Sequence, residues 1–172
     1  PCTLFFLDLD SFKAINDSMG HAAGDEVLIE TAKRIHDSVP SECLVARLGG
    51  DEFALVFKGE LSHAEIEKHI EKIRANLSKP CEIQEHLIEI KTSIGVSYAP
   101  TLAKSAEQLL NASDMALYAA KESGRNKMSF FEPHIAEKIQ TRLELLRDMK
   151  EAIQANQFIL QYQPQVNYQN GD

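Results

Sequence analysis

The chain has 172 residues, of which 44% are hydrophobic and 26% charged, a balance that predicts one folded domain with a short appendage. Its formal net charge of −8 excludes nonspecific binding to nucleic acid, which requires a basic surface, but permits a local site for one anionic nucleotide. No apolar run approaches the roughly 20 residues that span a bilayer, so we expect no membrane contact from this chain.

The cysteines and the two ends of the chain indicate where the protein is located and whether it is part of a longer one. Cys2, Cys43 and Cys81 form no CxxC pair, which argues against a disulfide framework or a zinc site and favours a cytoplasmic, reducing location. The chain begins without Met inside a strand-like run and ends on a turn signal, so we interpret it as part of a longer protein. Membrane anchoring of that parent is left open.

Hydrophobic periodicity predicts strands and helices in the first half of the chain. Residues 3–7 form a continuous apolar run typical of a buried strand, after which Asp10 or Ser11 is placed to cap a short helix. Residues 20–24 are predicted to interrupt the chain before a helix over residues 27–35. Residues 43–48 and 53–57 are predicted strands, joined through Gly49-Gly50-Asp51-Glu52 as a hairpin.

The second half continues the same alternation. Residues 62–78 predict an amphipathic helix, residues 88–97 carry strand alternation, residues 109–119 predict a helix closed by Gly124, and residues 128–131 predict a last strand. The order favours an α+β fold with helices packed on one sheet. From Pro133 a long charged helix is predicted, followed by a strand at 158–164, so we divide the chain into domains 1–132 and 133–172.

Three groups of residues have the chemistry of a phosphate site. Asp8 and Asp10 follow a buried strand and suit Mg²⁺, although Asp10 also suits a helix cap. Gly49-Gly50-Asp51-Glu52 would bring backbone and carboxylates to a ligand, or form an ordinary turn with solvated acids. Lys121 and Arg125, one helical turn apart, would neutralise a triphosphate, or simply complement a helix C-terminus.

Read together, these groups resemble the GGDEF family of diguanylate cyclases. The resemblance is carried by residues 7–25 with Asp8-Leu9-Asp10, Phe12-Lys13 and Gly20-His21, by Arg47-Leu48-Gly49-Gly50-Asp51-Glu52-Phe53, and by residues 114–126 with Lys121 and Gly124-Arg125-Asn126. The resemblance implies a palm-like nucleotidyl-cyclase fold, with a ferredoxin-like core and an antiparallel-rich sheet. It also implies condensation of two GTP into cyclic di-GMP with release of pyrophosphate.

The resemblance also implies roles for individual residues. Asp8, the Leu9 carbonyl and Asp51 would bind Mg²⁺ or Mn²⁺, and Asp51 would help to deprotonate the attacking hydroxyl. Lys13 and Glu52 complete the implied catalytic set. The implied substrate-binding set comprises Asn16 and Asp25 at guanine, His21 in the same pocket, and Phe12, Gly49, Gly50, Lys121 and Arg125. Joining two nucleotides requires a homodimer.

Two further interpretations follow from the resemblance. Pro40 and Cys43 stand where many relatives carry an Arg-x-x-Asp inhibition site, so we expect no product inhibition there. Residues 142–149 and 162–166 resemble the beginning of an EAL-type cyclic di-GMP phosphodiesterase domain, whose catalytic residues would lie beyond Asp172. The alternatives to an active cyclase are a GTP-binding domain that regulates an attached phosphodiesterase and a related cyclase with a different cyclic product.

Overall fold

The computed structural model describes residues 1–163, in which Pro1–Ala136 form one compact unit and a second begins at Glu137. The elements in chain order are β1 (Cys2–Leu9), α1 (Phe12–Met19), α2 (His21–Ser38), β2 (Leu44–Gly49), β3 (Glu52–Lys58), α3 (His63–Leu77), β4 (Cys81–Ile83), β5 (His86–Ile88), β6 (Thr92–Ala99), α4 (Ala106–Glu122), β7 (Met128–Phe130) and α5 (Pro133–Gln154). In this part of the chain no helix combines the length and the hydrophobicity that a membrane crossing needs.

Five strands form the main sheet in the order β2-β3-β1-β6-β7, and β4 pairs with β5 in a separate hairpin. All pairings in the main sheet are antiparallel except that of β6 with β7. β1 lies at the centre because its apolar side chains cover both faces of the strand. The predicted α+β architecture with an antiparallel-rich sheet is therefore confirmed.

The two faces of the sheet carry separate hydrophobic clusters. Phe5, Leu7 and Leu9 of β1 pack in the larger cluster with α1, α2 and α3, whereas Leu4 and Phe6 pack in a smaller cluster with α4. This division follows from the alternation of side chains along a strand. The even-numbered face of β1, which ends at Asp8, is therefore the face that α4 covers.

A glycine on β6 sets how closely α4 approaches the sheet. A Cβ atom at Gly95 would lie 2.0 Å from the Ser113 carbonyl oxygen and 2.3 Å from the Leu117 nitrogen. Both atoms belong to the helix backbone, so no side-chain rearrangement would relieve the overlap. The absence of a side chain at position 95 thus brings α4 close to the end of β1.

The structure departs from three sequence-based expectations about local structure. Only Gly20, at φ 85°, interrupts the chain in residues 20–24, because α2 begins at His21 and contains Gly24. The strand alternation predicted over residues 88–97 is interrupted, because β5 ends at Ile88 and β6 begins at Thr92. Ser11 occupies the N-cap position of α1, as one of the two alternatives predicted, but its side chain makes no capping hydrogen bond; the other alternative, Asp10, is wrong, because its carboxylate hydrogen-bonds elsewhere.

The second unit contains the end of α5, and residues 155–163 after it are neither helix nor strand. The long helix expected after Pro133 is present as α5. The strand expected at residues 158–164 is absent over residues 158–163, while residue 164 and the end of the second EAL-like segment lie outside the described residues. The side chains of Phe158, Ile159 and Leu160 are mostly exposed, so the apolar pattern that suggested a strand finds no sheet to pair with in residues 1–163.

Candidate active site

Strand β1 and the β2–β3 hairpin meet at one end of the sheet. Asp8 pairs with Glu52 in the antiparallel register, which places their side chains on the same face. The Leu9 amide donates a hydrogen bond of 3.3 Å to the carbonyl of Asp51, which joins the end of β1 to the hairpin turn. The acidic residues predicted from two separate motifs are therefore brought together.

A lysine from α4 completes this end of the sheet. Lys121 Nζ lies 2.7 Å from Asp8 Oδ2, and the Asp8 side chain is only 13% exposed. This ion pair forms because α4 packs on the even-numbered face of β1, close to the backbone of β6. Lys121 is thus part of the site, as its place in the third motif predicts, and it contacts a carboxylate in this structure.

The pKa of Asp8 shows how the charges in this cluster compete. Burial raises the pKa of the Asp8 carboxyl above its ordinary value. The hydrogen bond and the charge of Lys121 lower the pKa, whereas the nearby charges of Asp51 and Asp10 raise it again. The net change is upward, so one lysine does not offset the cost of ionising Asp8 in this setting.

Glu52 experiences the same excess of negative charge. Burial raises the pKa of Glu52, and the charges of Asp8, Asp114 and Asp51 raise it further. Asp114 lies on α4, one residue beyond the backbone contact at Ser113, and it was not among the predicted site residues. Its position at the start of the third sequence motif was the signal that would have found it.

The donor atoms in this cluster suit magnesium. Mg²⁺ prefers oxygen ligands and commonly binds through one or two carboxylates, with substrate phosphates and water as the remaining ligands. The carboxylates of Asp8 and Asp51 and the carbonyl of Leu9 supply such a set, and a divalent cation would reduce the repulsion that raises the pKa of Asp8. Within residues 1–163 no three acidic, histidine or cysteine side chains are arranged so that they could hold a metal ion together, so the candidate set is two carboxylates and one backbone carbonyl.

The hairpin turn that carries Asp51 has an irregular backbone. The pairing register of β2 and β3 shifts between Arg47 and Gly49, and Gly50 adopts a φ of 52°, which favours glycine. Arg47 Nε donates a hydrogen bond of 2.9 Å to the Gly50 carbonyl. The space beside Gly49 is open, because a Cβ atom there would meet nothing within 4 Å.

The predicted base-recognition residues lie at the contact between α1 and α2. A Cβ atom at Gly24 would lie 1.9 Å from Asn16 Oδ1 and 3.2 Å from Phe12 Cζ, so the Asn16 side chain packs directly over this glycine. Asp25 follows Gly24 in sequence and is exposed. The Phe12 side chain is buried in the core, which leaves only its backbone amide for substrate.

The remaining predicted residues of α1 and α2 make no hydrogen bond or ion pair with the acidic cluster in the part of the chain that the structure describes. Lys13 and His21 are exposed. Within residues 1–163 no hydrogen bond or ion pair links Lys13, His21 or Asp25 to Asp8. The structure thus groups Asp8, Asp51, Glu52 and Lys121, and it places the α1–α2 residues as a second group.

Arg125 does not share a helix face with Lys121, contrary to the expectation from spacing. Helix α4 ends at Glu122, Gly124 adopts a φ of 116°, and Arg125 itself has a φ of 58°. The Arg125 amide donates to the carbonyl of Ala120, which closes the helix. Because Gly124 ends the helix, Arg125 belongs to the turn between α4 and β7.

Asp10 binds neither helix α1 nor any member of the acidic cluster by hydrogen bond. Its Oδ1 accepts a hydrogen bond of 2.8 Å from Ser93 Oγ, and its Oδ2 accepts one of 2.8 Å from the Asn126 amide. Both oxygens are therefore engaged by β6 and by the turn after α4.

A comparison with models of protein families identifies the family to which this chain belongs. The model of the diguanylate cyclase GGDEF domain matches residues 1–127, which is well over half of the chain. The chain belongs to the GGDEF family. The resemblance noted in the three sequence motifs is confirmed for this domain, whose family consists of diguanylate cyclases, a class of nucleotidyltransferases in bacterial signalling proteins.

Relatives and solved structures agree with this assignment. MucR of Pseudomonas aeruginosa, a bifunctional diguanylate cyclase/cyclic di-GMP phosphodiesterase, is 40% identical over 168 residues, which cover 98% of this chain and 24% of MucR. The solved GGDEF domain of YfiN from the same organism is 36% identical, with a TM-score of 0.77 and 81% of each chain covered. The active GGEEF domain of a Vibrio cholerae diguanylate cyclase is 32% identical, with a TM-score of 0.67, 76% of this chain and 83% of that chain covered.

These comparisons define the GGDEF domain and leave the rest of its protein undetermined. The chain spans about a quarter of the length of the curated relatives it matches, from 21% to 28%. The solved GGDEF structures confirm the palm-like fold. The EAL-like beginning in residues 133–172 and the roles of the individual site residues remain predictions.

Proposed function

We propose that this GGDEF domain is a diguanylate cyclase that condenses two GTP molecules into cyclic di-GMP and releases pyrophosphate. The observation that carries the proposal is the meeting of Asp8, at the end of β1, with the hairpin residues Asp51 and Glu52 and with Lys121 of α4. Phosphoryl transfer requires mainly positioning and compensation of charge, and this cluster offers both acidic ligands and a cation.

The proposed reaction uses the cluster as follows. Bound Mg²⁺ or Mn²⁺, held by Asp8, Asp51 and the Leu9 carbonyl, would offset triphosphate charge and acidify the attacking 3′-hydroxyl. Asp51 accepts the proton of that hydroxyl. Lys121 would exchange its contact with Asp8 for a contact with phosphate, and the bound cation would then replace the positive charge that Asp8 loses.

We further propose that the α1–α2 group selects guanine. The Asn16 side chain packs over Gly24, and the exposed Asp25 follows Gly24 on α2, so both residues belong to the α1–α2 contact that we propose as the base site. A carboxylate accepts from the N1–H and the exocyclic amine of guanine, whereas adenine would leave it without donors. Lys13 would add positive charge at the phosphates, and His21 would line the same pocket.

The proposed product requires two protomers. Each GGDEF domain supplies residues for one GTP, so the two half-sites must face each other in a symmetric dimer, at least transiently. Because GTP is a cytosolic nucleotide, we place the domain in the cytoplasm. Cys43, whose amide donates to the Pro40 carbonyl, lies just before β2, and we propose that this turn does not bind product.

The proposed activity is tested by a product assay with forced dimerisation. The chain, alone and fused to a parallel two-stranded coiled coil, is incubated with GTP and Mg²⁺. The products are then separated and identified by mass spectrometry. Cyclic di-GMP should form with the fused protein and not with its Asp51→Asn variant, while Asp37→Asn, an exposed change on α2, should have no effect. A cyclic mononucleotide, or a mixed dinucleotide in a parallel incubation that also contains ATP, would replace the proposal with a different cyclase.

A second function is favoured by the chain's relatives. PdeR of Escherichia coli, a cyclic di-GMP phosphodiesterase, is 32% identical over 165 residues, which cover 95% of this chain. The second proposal is therefore that the domain binds GTP without turnover and regulates a phosphodiesterase in the same protein. Loss of GTP-dependent phosphodiesterase activity in Asp51→Asn, without any cyclic di-GMP synthesis by the unaltered protein, would favour this function.

A further inference from the structure

The turn between α4 and β7 has a backbone that requires support. Arg125 and Asn126 adopt φ values of 58° and 49°, so two consecutive residues other than glycine are left-handed. Such a conformation is unfavourable for residues with a Cβ atom and persists only when the surrounding contacts hold it. The contacts that hold this turn therefore determine where Arg125 lies.

Several hydrogen bonds hold this turn, and one of them is made by Asp10, the residue that follows β1. The Arg125 amide donates to the Ala120 carbonyl over 3.2 Å, and the carbonyl of Lys127 accepts from the Ile94 amide over 2.8 Å. Between these two, the Asn126 amide donates to Asp10 Oδ2 over 2.8 Å. The Asp10 bond is made by a side chain from outside the turn, and it acts on the residue next to Arg125.

Asp10 is itself fixed from two directions. Its Oδ1 accepts from the hydroxyl of Ser93, which is fully buried on β6, and its amide donates to the Lys91 carbonyl over 2.9 Å. The carboxylate therefore has a defined orientation. It lies two residues beyond Asp8, a separation of about 7 Å along an extended chain.

We propose that Asp10 is a positioning residue that acts through Arg125. By binding the Asn126 amide, Asp10 holds the turn so that the Arg125 guanidinium reaches the triphosphate next to the Asp8–Lys121 pair. The inference rests on the proposed function, since it takes GTP as the substrate and Arg125 as a phosphate ligand. It assigns the second acid of the Asp8-Leu9-Asp10 motif a role that needs its hydrogen-bonding geometry and not its charge.

A positioning role for Asp10 and a metal-ligand role for Asp10 predict different effects when its carboxylate is replaced by an amide. In Asp10→Asn, the side-chain oxygen can accept from the Asn126 amide while the new NH₂ group donates to Ser93 Oγ, because a hydroxyl can reverse its role. Both bonds are then kept without the charge. A residue that binds a divalent cation would lose most of its function in the same variant.

The test measures binding of Mg²⁺ with a non-hydrolysable GTP analogue to the chain by calorimetry. Asp10→Ala and Arg125→Ala should each weaken binding about tenfold, the loss expected for one charge-assisted phosphate contact. The double variant should bind no more weakly than Arg125→Ala, because Asp10 has no effect once the guanidinium is absent. Asp10→Asn should bind within about twofold of the unaltered chain.

The outcomes separate this inference from the proposed function. If the unaltered chain does not bind the analogue, the proposed function fails and the inference fails with it. Binding that is lost equally in Asp10→Asn and Asp10→Ala, that is unchanged in Arg125→Ala, or that falls additively in the double variant overturns the inference alone. Should Asp10→Ala not fold, Ser93→Ala, which removes one of the two bonds to the carboxylate, should weaken binding in an Arg125-dependent manner.

Discussion

Substituting Gly24 by alanine should weaken recognition of the guanine base while the stability of the fold changes little. The added Cβ atom would lie 1.9 Å from Asn16 Oδ1, whereas ordinary contacts begin at 3.4 Å, so this oxygen must move by about 1.5 Å. Such a shift breaks a hydrogen bond of normal length. Because the nearest obstacle is the end of a side chain and not backbone, the helices can keep their packing while Asn16 leaves its position.

The expected magnitudes follow from these contacts. Loss of one hydrogen bond to a neutral base costs about 1 kcal/mol, or about a fivefold increase in the Kd for GTP. The Kd for ATP should not change. Stability should change little, because alanine in a helix gains nearly 1 kcal/mol over glycine, and this gain is offset by the close contact with Phe12 Cζ at 3.2 Å.

The measurement compares Kd values for Mg²⁺ complexes of GTP and ATP, with Asn16→Ala as the matched background. In Asn16→Ala the oxygen that obstructs a Cβ atom is gone, so adding Gly24→Ala should leave GTP affinity unchanged, and the Tm should change little because the contact with Phe12 Cζ remains. Full retention of the GTP preference in Gly24→Ala would refute the reasoning. A further loss of GTP affinity in the Asn16→Ala background would refute it as well.

The remaining predictions concern stability. Gly95→Ala should lower the free energy of unfolding by about 3 kcal/mol in urea titrations, since its Cβ would overlap the Ser113 carbonyl; an unchanged midpoint would contradict the close approach of α4. Glu52→Gln should stabilise the metal-free domain: burial and nearby carboxylates raise the Glu52 pKa, so the unaltered domain loses stability relative to the variant as pH rises above about 4. Parallel pH profiles would exclude this effect. Ser62→Ala, which removes the capping box with Glu65 on α3, should cost about 1 kcal/mol and leave GTP affinity unchanged.

Much of the acidic cluster was predictable from sequence because it depends on register. A buried strand that ends in Asp8 and a hairpin that carries Asp51 form adjacent strands, and the pairing of Asp8 with Glu52 follows from their alternation. The position of Asp114 was not predicted, because it depends on how closely α4 packs on Gly95. That distance is a tertiary property that spacing along the chain does not contain.

The local errors have two physical causes. Gln84 and Glu85 adopt φ values of 49° and 68° in the turn between β4 and β5, and neither is a residue that signals a left-handed turn, so this hairpin was missed. Gly24 was taken as part of a chain break, although it lies in α2 where a neighbouring side chain needs its space. In both places packing overrode the usual local preference.

The bulge between Arg47 and Gly49 has a consequence for how chains associate. β2 is the outer strand of the sheet, and an outer strand with regular spacing can accept another strand from a neighbouring molecule. The register shift disrupts that spacing at the hairpin that carries Asp51. A strand from a neighbouring molecule would therefore find no continuous row of hydrogen-bonding partners there. This edge of the sheet remains accessible to a small molecule, and fibre-like association along it is disfavoured.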